Sequence, residues 1–212
     1  MSARIVAITN QKGGTGKTTL TMNLAAGFAR RGRTLVLDAD PQRSATQWGR
    51  LAPEGRAYSV AVIPVADDLE REAQRFSDYY RFILVDCPPT LETDTVHRAM
   101  VVADVALIPV LPSPMDLWAS LRIAQVVEDA RQKNAGLRAR LLLNQMEARN
   151  MLSQSMQQAL AEFDIPVLKS AVQRRAAYRN AALEGLSVYE LARRPKAAVA
   201  EVDAIIEEVL ML

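Results

Sequence analysis

One cysteine and one histidine stand in 212 residues, and aromatic side chains make up only 5% of the chain. The lone thiol, Cys87, cannot close a disulfide within the chain and supplies no C-x-x-C pair for a metal or an iron–sulfur cluster. With so few rings, an apolar half of the sequence must build its core mostly from Ala, Val, Leu and Ile. No apolar run approaches the roughly 18 residues of a membrane span, and no basic-then-apolar leader opens the chain. Charge is nearly balanced, 26 Lys and Arg against 24 Asp and Glu, which neither demands nor excludes a polyanionic partner. The expectation is a soluble, cytoplasmic protein folded as one domain over residues 1–212.

What is present is a regular alternation. Short β-branched runs predict strands at 4–9, 34–39, 59–64, 81–86, 104–110, 139–144 and 165–169. Amphipathic stretches predict helices near 16–31, 43–51, 66–78, 92–102, 115–133 and 151–162, then helices filling 176–212. Strands that are apolar throughout must be covered on both faces, the mark of a parallel sheet between helical layers. The predicted class is α/β: a doubly wound, mostly parallel sheet with helices on both faces, its functional residues gathered at the carboxyl ends of the strands.

The first such end reads AITNQKGGTGKTTL. It resembles the phosphate-loop pattern G-x-x-x-x-G-K-[ST], except that Gln11 holds the first glycine's place and a second lysine, Lys12, precedes Gly13 and Gly14. Glycines 13, 14 and 16 let backbone amides turn toward phosphate oxygens at a helix N-terminus. In that pattern Lys17 bridges the β- and γ-phosphates, and the Thr18 hydroxyl ligates Mg²⁺. Two further strands end in acid: LVLDADPQ carries Asp38 and Asp40, and FILVDCPP carries Asp86. Carboxylates beside a triphosphate suit Mg²⁺, which keeps several waters and takes few protein ligands.

KGGTGKTT, DADPQ and VDCPP together resemble the deviant Walker motif ATPases of the ParA/MinD group. LIPVLPSPMDLWAS is similar to the segment after the fifth strand in small ParA proteins. The resemblance covers most of residues 3–145 and implies a P-loop fold binding ATP and Mg²⁺. It implies that Lys12, Gly13, Gly14, Thr15, Gly16, Lys17, Thr18 and Thr19 surround the nucleotide. By the same resemblance, Lys12 reaches across an ATP-dependent homodimer to the partner's nucleotide while Lys17 acts in its own subunit. Asp40 matches the acid that positions the attacking water, so the implied catalytic set is Lys12, Lys17 and Asp40. Thr18, Asp38, Asp40 and Asp86 form the implied metal set. Gln42, Pro88, Pro89 and Thr90 fall in the segments that sense the γ-phosphate. Asn144 is similar to the residue at the adenine edge, and Gln173 and Arg174 lie where a loop closes over the base.

Members of that group differ in what the ATP-bound dimer holds. Between 169 and 196, Lys169, Arg174, Arg175, Arg179, Arg193, Arg194 and Lys196 face only Glu184 and Glu190. Arg131, Lys133, Arg138, Arg140 and Arg149 extend this basic excess. With few aromatics interleaved, it predicts non-specific, salt-sensitive DNA binding, assigned to Arg174, Arg175, Arg179, Arg193, Arg194 and Lys196. A MinD-like membrane protein is the alternative, yet the terminal AAVAEVDAIIEEVLML is acidic on its polar side, which anionic headgroups repel. A metabolic ligase of related fold is a second alternative. The resemblance thus implies a nucleoid-associated ATPase, with slow hydrolysis stimulated by a ParB-like or cargo-adaptor partner. Trp48 and Trp118 read as packing or interface anchors, and His97 receives no role.

Overall fold

The runs RIVAI, TLVLD, FILVD and VALIPV leave no polar side chain in their middles, so neither face can be given to water. The computed structural model, which describes residues 2–65, 68–90, 94–118, 122–147, 160 and 164–212, shows how both are covered. The strands are β1 (Arg4–Ile8), β2 (Thr34–Asp38), β3 (Ala61–Pro64), β4 (Phe82–Asp86), β5 (Val105–Val110) and β6 (Arg138–Leu143). The helices are α1 (Lys17–Ala29), α2 (Ser44–Trp48), α3 (Leu69–Ser77), α4 (Thr95–Val102), α5 (Pro114–Trp118), α6 (Arg122–Lys133), α7 (Ala176–Leu183) and α8 (Lys196–Met211).

The strands form one parallel sheet in the order β3-β2-β4-β1-β5-β6. Alternation along each strand splits the core in two. Ile5, Ala7, Leu35, Leu37, Ile83 and Val85 face a layer built on α3, α4 and α6. Val6, Ile8, Val36, Phe82 and Leu84 face α1, α2, α7 and α8. Since β1 lies between β4 and β5, the turn leaving it opens at the middle of the sheet's carboxyl edge.

The apolar positions of the last helix are spent inside the protein. Val202, Ile205, Ile206 and Val209 of α8 are buried in the layer shared with α1, at about 1.5 kcal/mol or more apiece. Its acids are also engaged: Asp203 and Glu207 pair with Arg31, Glu201 with Arg175, and Glu208 accepts the Lys169 and Ser170 amides. Among the described residues no helix is long and apolar enough to cross a membrane.

Several boundaries differ from the sequence reading. The strand expected at 165–169 is not a ladder; it meets β6 through one isolated bridge, Leu141 to Val167. Pro166 has no N–H to give; the Leu168 amide reaches the Leu141 carbonyl of β6, but the following Lys169 and Ser170 amides go to Glu208 instead of a strand. The helix expected over 115–133 is α5 and α6, with 119–121 outside the described residues. The helices expected to fill 176–212 are interrupted at 184–195, where Gly185 takes φ +61° and Pro195 precedes α8. The helix expected at 151–162 and the basic Arg149 fall outside the described residues, Leu160 apart. Trp48 is a packing residue, its indole N–H donating to the Leu186 carbonyl at 3.2 Å, whereas Trp118 is 47% exposed.

Candidate nucleotide site

β1 delivers the chain to the sheet edge and Asn10 fixes how it leaves. The Asn10 amide donates to the Pro109 carbonyl of β5 at 2.8 Å, and its Oδ1 accepts the Lys12 N–H at 3.1 Å. Gly14 and Gly16 then take φ of +75° and +86°, backbone angles open to glycine at little cost. Gly16 is confined as well: a Cβ there would lie 2.5 Å from Asn144 Nδ2. At Gly13 and Gly14 a Cβ meets nothing within 4 Å, so the loop faces an open concavity of backbone. α1 begins at its rim with no acid in its first turn, which leaves the positive end of the helix uncompensated. These features fit a polyphosphate chain.

Lys17 lies 7% exposed beneath the loop, its Nζ donating to the Lys12 carbonyl at 3.0 Å. Burial holds its pKa below the ordinary lysine value, opposed by the nearby carboxylates of Asp86 and Asp40. The neighbouring Thr18 hydroxyl donates to Asp86 Oδ2 at 2.7 Å, and the Thr21 hydroxyl to Oδ1 at 3.0 Å. Burial pushes the Asp86 carboxyl up to about 7, with Asp38 and Asp40 adding repulsion and the two threonines opposing it. A cation placed here would relieve that repulsion, as the chemistry of a Mg²⁺ site requires.

The sheet brings the acids together. Asp38 pairs in register with Asp86 on the adjacent strand, although the two are far apart in sequence. Asp38 is, however, busy: Oδ2 accepts the Thr46 N–H and hydroxyl at 2.8 and 2.6 Å, and Oδ1 the Asp40 N–H at 3.3 Å. It holds the start of α2. Asp40 is buried with one oxygen on the Gln42 amide at 2.9 Å. Among the described residues no three His, Cys, Asp or Glu side chains are grouped to cage a metal, so an ion here would also need the Thr18 hydroxyl and phosphate oxygens. Cys87 is buried beside them, and burial pushes its thiol pKa up, so it stays an unreactive packing residue.

Asn144, at the end of β6, bolts the loop in place, donating from Nδ2 to the Thr15 carbonyl at 2.6 Å and accepting the Gln145 amide on Oδ1. It also lines a cavity of about 280 Å³ shared by Gly16, Thr19, Leu20, Gln173 and Tyr178. The Gln173 Oε1 oxygen is itself buried, with no hydrogen-bond donor among the described residues. Arg174, Arg175 and Arg179, read from the sequence as one basic surface with Arg193, Arg194 and Lys196, line this same cavity; the other three do not. Arg175 is neutralised by Glu201 at 2.6 Å. Lys12 points to the other side of the loop, ion-paired with Asp116 of α5. That partner was missed in the sequence, where PSPMDLW carried a resemblance but no role.

Comparison with known proteins agrees with this geometry. The family model described as the CobQ/CobB/MinD/ParA nucleotide binding domain matches residues 6–188. The maintenance of carboxysome distribution protein A of Halothiobacillus neapolitanus is 40% identical over 97% of this chain and 95% of its own. The chromosome partitioning protein ParA of Caulobacter vibrioides is 30% identical over 71% of this chain and 73% of its own. Among solved structures, an ATP complex of a Cyanothece McdA variant superposes with a TM-score of 0.74 at 18% identity, covering 100% of this chain and 97% of that one.

Proposed function

The chain belongs to the CobQ/CobB/MinD/ParA nucleotide-binding family, and from that premise we propose that it is a cargo-positioning ATPase of the ParA type. In this reading residues 1–212 act as one ATPase unit that binds ATP, dimerises through it, and holds non-specific DNA in the nucleoid. A partner on the cargo stimulates slow hydrolysis and returns the subunits to monomers. The relative named for carboxysome distribution, matched along nearly the whole chain, makes a carboxysome the favoured cargo.

The observation that carries this reading is the loop itself, with one buried lysine beneath it and a second, Lys12, at its rim. Lys17 and the amides of residues 13–18 hold the phosphates. Thr18, with Asp86, Asp38 and Asp40 close by, would hold Mg²⁺, which neutralises phosphate charge. Asp40 orients the attacking water. Lys12 reaches the phosphates of the partner's nucleotide, where a cation steadies the charge spread over the transferring group.

The base fits the cavity beside Thr19, where the orphaned Gln173 Oε1 accepts from an exocyclic amino group. Adenine has that group and hypoxanthine lacks it. Gln173→Leu is therefore expected to weaken ATP binding about tenfold, the scale of one buried hydrogen bond, and to erase the preference for ATP over ITP. An unchanged ATP-to-ITP affinity ratio in the variant would place the base elsewhere.

DNA retention tests the function as a whole. With ATP the protein is expected to stay on non-specific double-stranded DNA, but not with ADP or without nucleotide. Raising salt from 50 to 200 mM should cost about a thousandfold in affinity if roughly six phosphates are contacted. Exposed Arg174, Arg179, Arg193, Arg194 and Lys196 are the candidate contacts. Hydrolysis without retention in any nucleotide state would remove DNA from the mechanism.

A further inference from the structure

The segment LIPVLPSPMDLW leaves β5 at the sheet's carboxyl edge and turns into α5, which carries Asp116 back to the phosphate loop. There its carboxylate pairs with the Lys12 ammonium, the two side chains 20% and 34% exposed. The main chain of Lys12 is held on both sides. Its N–H donates to Asn10 Oδ1, and its carbonyl accepts from Lys17 Nζ at 3.0 Å and from the Thr15 hydroxyl at 3.3 Å. Asn10 is in turn tied to Pro109, in the same strand that leads to Asp116. Loop and acid are thus both tied to β5, and the Lys12 side chain spans the gap between them.

We infer that Asp116 is a positioning residue that latches Lys12 onto its own subunit until the ATP dimer forms. The inference rests on the reading that Lys12 serves the nucleotide of the partner subunit. An ammonium closed on Asp116 of its own chain is withheld from that nucleotide, so the competent state is the fraction with the pair open. Asp116 also lines an open hollow of about 300 Å³ with Leu111, Ser113, Gln145, Glu147 and Arg174. Water reaches the carboxylate once the lysine leaves, which keeps the latch weak and reversible. Its role is to set the concentration at which ATP-bound subunits pair, without touching phosphate.

The arithmetic favours a measurable effect. A partly exposed ion pair favours the closed form by roughly threefold, and apparent affinity falls by the fraction of competent protein. That leaves about a quarter of the subunits competent, and both must open, so the factor enters twice, on the order of tenfold to twentyfold in the dimer's dissociation constant. Asp116→Asn should therefore dimerise with saturating ATP at a protein concentration lower by that factor, read by light scattering. ATP affinity of the monomer should stay at the parent value, and Asp116→Glu should dimerise like the parent. The double variant Lys12→Ala with Asp116→Asn should remain as monomeric as Lys12→Ala alone.

Asp116→Asn pairing at the parent concentration or above, while Lys12→Ala still fails to dimerise, would overturn the latch and leave the trans lysine standing. Recovery of the dimer in the double variant would overturn it too, since Asp116 would then act by plain charge repulsion between subunits. Normal dimerisation of Lys12→Ala would remove the trans role itself, and the latch with it. A thermal midpoint for Asp116→Asn within about 2 °C of the parent, set against the 2–4 °C expected per kcal/mol in a chain of this size, separates these results from misfolding.

Discussion

Replacing Lys17 by alanine is expected to weaken ATP binding by at least about a hundredfold. The ammonium is buried under the loop and already hydrogen-bonded to the backbone it supports. Removing one partner of a buried charge pair costs about 3–5 kcal/mol, because the other charge is left without compensation. Each 1.4 kcal/mol is roughly tenfold in affinity, so the loss spans about a hundredfold to a few thousandfold. The fold should tolerate the change, since among the described residues the side chain gives up one hydrogen bond, to the Lys12 carbonyl. Calorimetric titration with ATP, beside a thermal melt, reads both quantities. Binding within threefold of the parent would mean that the loop and the helix terminus hold the phosphates without this lysine.

Asp40→Ala is expected to lower the ATP turnover rate by about a hundredfold or more while leaving ATP bound, the range for loss of a positioned acid or base. Persistent dimers on DNA should follow, because hydrolysis is what returns subunits to monomers in the proposed cycle. The structure separates this effect from damage to the fold. Among the described residues the Asp40 carboxylate accepts the amide of Gln42, an exposed residue whose N–H water can satisfy. Asp38, two residues earlier, takes three hydrogen bonds and anchors α2, so its replacement confounds the two effects. Phosphate release at the parent rate from Asp40→Ala would take this residue out of the mechanism.

The strand ends were legible because they depend on neighbours in sequence. A strand apolar on both faces, three glycines and a Gly-Lys-Thr opening a helix constrain one another locally. The six regular strands lie within a residue or two of their predicted bounds, and parallel pairing follows from covering both faces. Residues 165–169 show the limit. Their apolar pattern promises a strand, yet Pro166 lacks a donor and, after the Leu168 amide has bonded to β6, a glutamate from α8 takes the amides of Lys169 and Ser170. No local pattern announces a competitor that arrives from a helix some forty residues away.

Charge shows the same limit more sharply. Seven basic residues between 169 and 196 read as one surface along the chain. Folding turns Arg174, Arg175 and Arg179 toward the cavity beside the loop and sets Glu201 against Arg175. Gln173, placed near the base by resemblance alone, gains a physical reason from its buried, unpartnered oxygen.

By itself the sequence determined the doubly wound α/β class, the family, and the glycine-rich turn that opens α1, since each is written in side-chain periodicity or in a contiguous motif. Tertiary structure decided which distant residues meet. Placing β4 between β2 and β1 sets Asp38 in register with Asp86, and the end of β6 brings Asn144 onto Thr15. The turn out of β5 delivers Asp116 to Lys12. These pairings follow from the order in which strands cross the sheet, a property of the whole chain's packing that no local stretch encodes.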